Sequence, residues 1–178
     1  MNFAPPPFES CPPRHHRGAI HLAGDRMTAD VQSTMPPRMD WRGTDLTDAS
    51  FIHVDLQGAD FTGANLRGAS FISSLLRGAT FRAANLTAAN LIGTDCREVD
   101  FRQANLSQAQ LCRCDLSRAW LNDTAIHAAN FTQAVLDHTN LASATGYQPN
   151  FHQAILSHAN LHRAHLLGAD LTLSLIHI

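Results

Sequence analysis

The chain has 178 residues with 13 basic and 15 acidic side chains, which leaves a net charge of −2 with the histidines neutral. This balance argues against a protein that binds nucleic acid or another polyanion through charge. The length suits one domain with a substantial core, and no apolar run is long enough to predict a membrane span. Because no signal-peptide pattern begins the sequence, a cytoplasmic location is the default expectation.

Residues 1–38 differ in composition from the rest of the chain, because they hold seven of its eight prolines. The segment shows no sustained repeat. Proline-rich sequence without a periodic apolar pattern cannot bury enough surface to fold. We therefore predict that this N-terminal segment is mostly disordered.

From Trp41 to Leu171 a large apolar residue occupies almost every fifth position, here named the pentad centre. A small residue usually lies two positions before the centre, and Asp, Asn, Ser or Thr usually occupies the corner position directly before it. The two positions after the centre are named the first and second outer positions. On a helix a five-residue step turns each side chain by about 140°, so no apolar face forms.

A strand with side chains of period two explains the pentad better. Inward side chains at the small position and the centre, followed by a bend, use five residues and restart the pattern. One turn of such a chain cannot bury its own apolar side chains. We therefore predict a solenoid whose turns stack at about 4.8 Å and bury continuous internal columns.

Phenylalanine indicates how many pentads make one turn. The seven phenylalanines among the centres, Phe51 to Phe151, are separated by multiples of ten residues, which requires an even number of sides. Ten residues enclose no interior, so we predict twenty residues and four walls per turn. The predicted core consists of the centres Leu46, Phe51, Leu56, Phe61, Leu66, Phe71, Leu76, Phe81, Leu86, Leu91, Cys96, Phe101, Leu106, Leu111, Leu116, Leu121, Ile126, Phe131, Leu136, Leu141, Phe151, Leu156, Leu161 and Leu166.

Triplets such as Ala64-Asn65-Leu66 and Ala104-Asn105-Leu106 follow the pattern A-(D/N)-L-x-x. This pattern resembles the pentapeptide-repeat family and covers about three quarters of the chain. The resemblance implies an all-β fold, a right-handed quadrilateral β-helix over residues 39–172 with about six to seven turns. It also implies that the centre and the small position face inward and the other three positions outward.

Residues 173–178 read LSLIHI, which resembles a translated sequencing adapter. We expect this tail not to belong to the natural chain. In the pentapeptide-repeat family a cap or dimerising segment often follows the last coil. A homodimer formed through a missing C-terminal end is therefore one alternative for this protein.

The Asp, Asn, His and Cys side chains, which could take part in catalysis or bind metal, have structural explanations here. Corner Asp and Asn side chains are expected to accept hydrogen bonds from nearby backbone amides. His138 and His158 should stack on one outer column in solvent. Cys96 and Cys114 should face inward on one wall, whereas Cys112 should face outward. We predict no catalytic, cofactor or metal site.

Apolar side chains at outer and corner positions are the candidate interface, because such positions are otherwise polar. One outer column is predicted to carry an apolar stripe, and the remaining candidates lie at corners or beside Gly146, where the centres are interrupted. Alternatively, β-branched residues simply suit an exposed ladder, or the N-terminal segment covers them. The candidates are Ile52, Ile72, Ile92, Cys112, Leu75, Trp120, Val135, Ile155 and Tyr147.

We expect a non-enzymatic interaction scaffold that binds a protein, without cofactor, membrane or direct nucleic-acid contact. The resemblance leaves two alternatives open: a DNA mimic that binds DNA gyrase, as in quinolone resistance, or a repeat fragment of a larger effector or multidomain protein. Mimicry needs dense negative charge. Residues 40–172 carry a net charge of only −3, and Arg42, Arg82 and Arg102 share one outer column, which argues against strong mimicry.

Overall fold

The computed structural model describes residues 20–21 and 39–176, and no helix occurs among them. Its strands are β1 (Ile20–His21), β2 (Ser50–Phe51), β3 (Thr145–Tyr147) and β4 (His165–Leu167). Strand β1 pairs antiparallel with β2, and β3 pairs parallel with β4. Apart from β1, the disorder predicted for residues 1–38 lies outside the described residues.

Single parallel β-bridges connect the remaining chain. Each bridge joins a corner residue to the corner residue twenty positions later, from Asp40 with Asp60 to Ile155 with Leu175. This spacing equals the period that the phenylalanines predict. Each coil therefore holds four pentads, whose centres begin wall A at Trp41, wall B at Leu46, wall C at Phe51 and wall D at Leu56, with a further centre at every twentieth residue.

Tight turns connect the walls. The amide of Ala64 donates to the carbonyl of Phe61 over 2.9 Å, and equivalent bonds recur from pentad to pentad. The residue at the second outer position adopts a positive φ, +67° at Gly63 and +55° at Ala83, as type II turns require. At the corner, Asp60 Oδ1 accepts the amide of Thr62 over 2.9 Å. The structural role predicted for corner Asp and Asn residues is thus observed.

Stacked rings fill the interior. Phe61 and Phe81 lie 4.7 Å apart in wall A, and Phe51 and Phe71 lie 4.9 Å apart in wall C. Rings of walls A and C meet edge to face across the interior, as Phe61 and Phe71 do at 84°. The two walls are therefore opposite, which agrees with the prediction from the multiples of ten.

Burial agrees with the predicted core in all but the last coil. Every predicted centre from Leu46 to Leu156 is buried. Leu161 and Leu166 are only partly buried and pack against the core from one side. The prediction that they are core residues needs this correction, because no described coil stacks on their outer side.

Gly146 interrupts the centres without breaking the register of the coil. It lies inside β3, and the pairing of β3 with β4 keeps the twenty-residue register. Pro149 has no amide to close the usual turn on the Gly146 carbonyl, although Gln148 keeps the positive φ of a second outer position, +53°. A Cβ at Gly146 would lie 3.0 Å from Ile126 Cγ1 and 3.2 Å from the Ile126 carbonyl oxygen. Close approach of the neighbouring coil therefore explains the glycine.

The bridge pattern continues past the predicted boundary at residue 172. Leu175 bridges Ile155, and its carbonyl accepts the amide of Leu156 over 2.8 Å. Ser174 and Ile176 occupy a small position and a centre, so this stretch fits the pentad register.

Candidate functional site

The outer stripe of wall C is less exposed than the sequence predicts. Ile52, Ile72 and Ile92 are intermediate in burial. Cys112 is 1% exposed, so the prediction that it faces solvent is wrong. It follows Ile92 in the column and precedes Thr132. Cys112 therefore drops out of the candidate interface.

The corner column of wall D carries the candidates Leu75, Val135 and Ile155. Leu75 is exposed but bridges Asp55 on one side and Asp95 on the other, so it stands alone among carboxylates. Val135 bridges Ile155, which in turn bridges Leu175. The sequence reading missed Leu175 because it assigned that residue to the tail.

Trp120 is the most conspicuous corner residue. Its side chain is 50% exposed, and the guanidinium carbon of Arg102 lies 4.8 Å from the centre of its ring. Arg102 is itself held by Asp100, with Nε 2.8 Å from Oδ1 and Nη2 2.6 Å from Oδ2. Burial acts to raise the pKa of Asp100, but the hydrogen bonds from Arg102 lower it overall. A fixed cation thus covers one face of the indole.

Tyr147 lies beside a second exposed apolar residue. Tyr147 and Leu167 are register partners in β3 and β4, and they are 54% and 72% exposed. The amide of Tyr147 donates to Nδ1 of His127 over 3.1 Å. Leu167 was missed by the sequence reading, although a leucine at a first outer position is the signal that would have identified it.

Corner carboxylates neutralise arginines at the first outer positions. Arg42 contacts Asp40 at 2.6 Å, and Arg102 contacts Asp100 at the same distance. The Arg42 side chain donates to Asp40 and holds the pKa of that carboxyl at about 2. The wall predicted to be positive therefore has two of its three arginines paired with acids.

The buried thiols and the stacked histidines show no ligand set. Burial raises the pKa of Cys96, and a hydrogen bond with Cys114 adds to the effect. Cys114 Sγ contacts the Leu91 carbonyl at 2.6 Å. The rings of His138 and His158 neighbour each other on one outer column, with centroids 4.7 Å apart and planes tilted by 39°. Nowhere in residues 39–176 do three potential metal ligands cluster.

Among the described residues no helix is long and apolar enough to cross a membrane. The cytoplasmic location stays a prediction from the sequence.

Comparison with known proteins agrees with this geometry. The sequence profile of the pentapeptide repeats matches in eight copies, and no curated protein matches the chain. The matched residues are 44–82, 64–95, 79–118, 126–163 and 150–174.

Similar solved structures include HetL, a pentapeptide repeat protein involved in heterocyst differentiation regulation in Nostoc sp. strain PCC 7120. It is 28% identical, with 76% of this chain and 78% of HetL covered and a TM-score of 0.44. A pentapeptide repeat protein of the Arabidopsis thaliana thylakoid lumen is 32% identical over 55% of this chain and 65% of its own, with a TM-score of 0.44.

QnrB1, a plasmid-mediated fluoroquinolone resistance protein, is 17% identical, with 79% of this chain and 91% of QnrB1 covered and a TM-score of 0.44. The family match extends over more than half of the chain and coincides with the bridged coils. The chain belongs to the pentapeptide-repeat family.

Proposed function

We propose that this protein is a non-enzymatic scaffold that presents outer side chains of its coil to a protein partner. The observation that carries the proposal is Trp120, half exposed at a corner position where Asp and Asn are usual. Exposed tryptophans next to arginine are typical of binding hot spots. Trp120 is therefore the centre of the proposed contact.

The backbone capping that corner residues usually provide does not account for this tryptophan. Corner Asp and Asn residues cap the following backbone, as Asp100 does by accepting the Arg102 amide over 3.0 Å. The side chain of Trp120 has no acceptor for the amide of Asn122, so this corner lacks the side-chain cap that Asp or Asn would provide. In return, the clamp of Arg102 and Asp100 fixes the indole before a partner arrives, which lowers the entropic cost of binding.

The proposal also requires that the coil which carries Trp120 is rigid. We infer that residues 39–172 form a right-handed, four-sided coil of about six to seven turns, roughly 30 Å long at the usual spacing of strands. The spacing of the bridges and the stacked rings of Phe61, Phe81 and Phe101 support this inference. Such a coil holds its outer side chains at fixed intervals.

The charge pattern favours this scaffold over a DNA mimic. Asp40, Asp95 and Asp100 are each engaged by an arginine of their own pentad. Their charges are therefore largely compensated and do not form an acidic wall. A supercoiling assay with DNA gyrase, with and without a quinolone, separates the two functions, and we expect no effect of this protein.

The partner can be identified by photo-crosslinking. A photoreactive phenylalanine analogue replaces Trp120 in one variant and Thr80, in the same corner column, in the control, and each is expressed in cells of the source organism. We expect one protein to crosslink from position 120 alone. With that protein purified, Trp120→Asn should weaken binding by about 30-fold or more, the loss that defines a hot spot, and Thr80→Asn should not.

Equal crosslinking from both positions would contradict the proposal. So would undiminished binding by the Trp120→Asn variant, provided that circular dichroism shows an intact coil.

A further inference from the structure

The first coil, residues 39–58, has a backbone edge that no earlier coil covers among the described residues. Between coils, the amide of Asp60 donates to the Met39 carbonyl over 2.9 Å, and the amide of Trp41 donates to the Asp60 carbonyl over 2.7 Å. Both backbone groups of a corner residue thus point to the preceding coil. At the corners of the first coil, Asp40, Asp45, Ser50 and Asp55, these groups point outward from the end of the described solenoid.

Strand β1 lies on one of these four edges. His21 is paired with Ser50, and Ile20 with Phe51. The amide of Phe51 donates to the Ser70 carbonyl over 2.7 Å, so Phe51 is already bonded to the next coil. Ser50 is therefore the residue whose amide and carbonyl face β1. In an antiparallel pair this places the backbone groups of His21 opposite those of Ser50.

The corner residues explain why wall C is the one that accepts a strand. Asp40, Asp45 and Asp55 place a carboxylate at the edges of walls A, B and D, and charged side chains on an edge discourage further pairing. Their carboxylates also bind inside their own pentads, as Asp45 does by accepting the amide and hydroxyl of Thr47. Ser50 carries no charge. Wall C thus has the one edge of the first coil without a corner carboxylate.

We propose that the edge of wall C at Ser50–Phe51 is a docking site for an extended strand, and that its occupant is the chain's own β1. The bond is made between backbones, so the site selects a strand by its extended shape and free amides. Occupation caps the first coil and keeps the same edge of a second copy from pairing with it. This inference concerns a different surface from Trp120 and stands independently of the scaffold function.

Hydrogen exchange resolved to single amides tests the proposal on the full chain. The Ser50 amide should exchange at least about tenfold more slowly than the amides of Asp45 and Asp55, which face the same end without a described strand beside them. His21→Pro removes the amide opposite Ser50 and should abolish this protection. His21→Ala keeps that amide and is the matched control, so it should exchange like the wild type.

A peptide tests the identity of the occupant. A synthetic peptide of residues 14–27, added to the His21→Pro protein, should restore slow exchange at Ser50, and the same peptide with proline at position 21 should not. The proposal is overturned if wild-type Ser50 exchanges as fast as Asp45, or if His21→Pro leaves Ser50 protected. Protection that appears only at high protein concentration would assign the edge to a second copy and overturn β1 as its occupant.

Discussion

The ring of Phe81 stacks on the ring of Phe61 with their centroids 4.7 Å apart and their planes within 9° of parallel. Phe101 continues the stack on the other side at 5.1 Å. Farther along wall A the same column contains Leu121 and Leu141, which are also fully buried. Wall A therefore accepts both phenylalanine and leucine at its centres, with the phenylalanines in consecutive coils and the leucines in the coils that follow.

Replacement of Phe81 by alanine should lower the free energy of unfolding by about 3–5 kcal/mol, because it removes a ring from the middle of the stack. Phe81→Leu is the matched control, since leucine occupies the same column at Leu121. It should cost less than half as much. Urea unfolding followed by circular dichroism measures both. Similar losses in the two variants would show that the ring itself, and not the filled volume, stabilises the coil.

Gly146→Ala should destabilise the protein by about 1–3 kcal/mol, because the new methyl group would meet Ile126 at 3.0 Å. Gly78→Ala is the instructive control. Gly78 has a φ of +68° but open space around it, and Ala83 already adopts a φ of +55° at an equivalent position. It should cost about 1 kcal/mol or less. A larger loss at Gly78 than at Gly146 in thermal unfolding would refute this account.

The sequence predicted the interior far better than the surface. The period of five residues and the separation of the phenylalanines by multiples of ten determine which residues point inward. Each centre must be buried, so it accepts only an apolar side chain. The burial of Cys112 was not predicted, because the pattern of inward and outward positions does not contain the contacts of each side chain. The close packing of Gly146 against Ile126 was not predicted either, because the two residues are twenty positions apart in the sequence.

The candidate site depends on contacts between coils, which explains why the sequence reading found only part of it. An exposed tryptophan at a corner was predictable from position alone. The clamp of Arg102 on Trp120 was not, because it joins residues of successive coils and depends on side-chain conformation. Leu175 and Leu167 were missed for simpler reasons, because Leu175 was assigned to the tail and because the apolar outer position of Leu167 was overlooked.

The three thiols in the coil should be unreactive in the native protein. Cys96, Cys112 and Cys114 are each no more than 1% exposed, and burial raises the pKa of Cys96, which leaves little thiolate. In a Cys11→Ser background, which removes the cysteine outside the described residues, Ellman's reagent at pH 8 should react with none of them until urea is added. One rapidly reacting thiol would place Cys112 on the surface after all.

The acid dependence of stability should include a contribution from Asp95. The side-chain hydrogen bond from Arg97 lowers the pKa of Asp95, and burial opposes it without reversing it. Because the native state then binds a proton less readily than the unfolded state, the stabilisation is present above about pH 4 and is lost progressively as the pH falls below it. Asp95→Asn should keep the corner bond to the Arg97 amide, as Asn85 does for Thr87. It should therefore remove only the pH-dependent part.

A double-mutant cycle of Asp95→Asn and Arg97→Gln isolates this pair. The pair is partly exposed, so its coupling free energy at pH 6.5 should be modest, up to about 1 kcal/mol. It should decrease as the pH is lowered towards 2.5, because protonation removes the charge of the carboxyl. Arg97 also lies 3.8 Å from Asp115, so Arg97→Gln alone should cost slightly more than Asp95→Asn alone. A coupling that is unchanged between the two pH values would show that the contact acts through packing and not through charge.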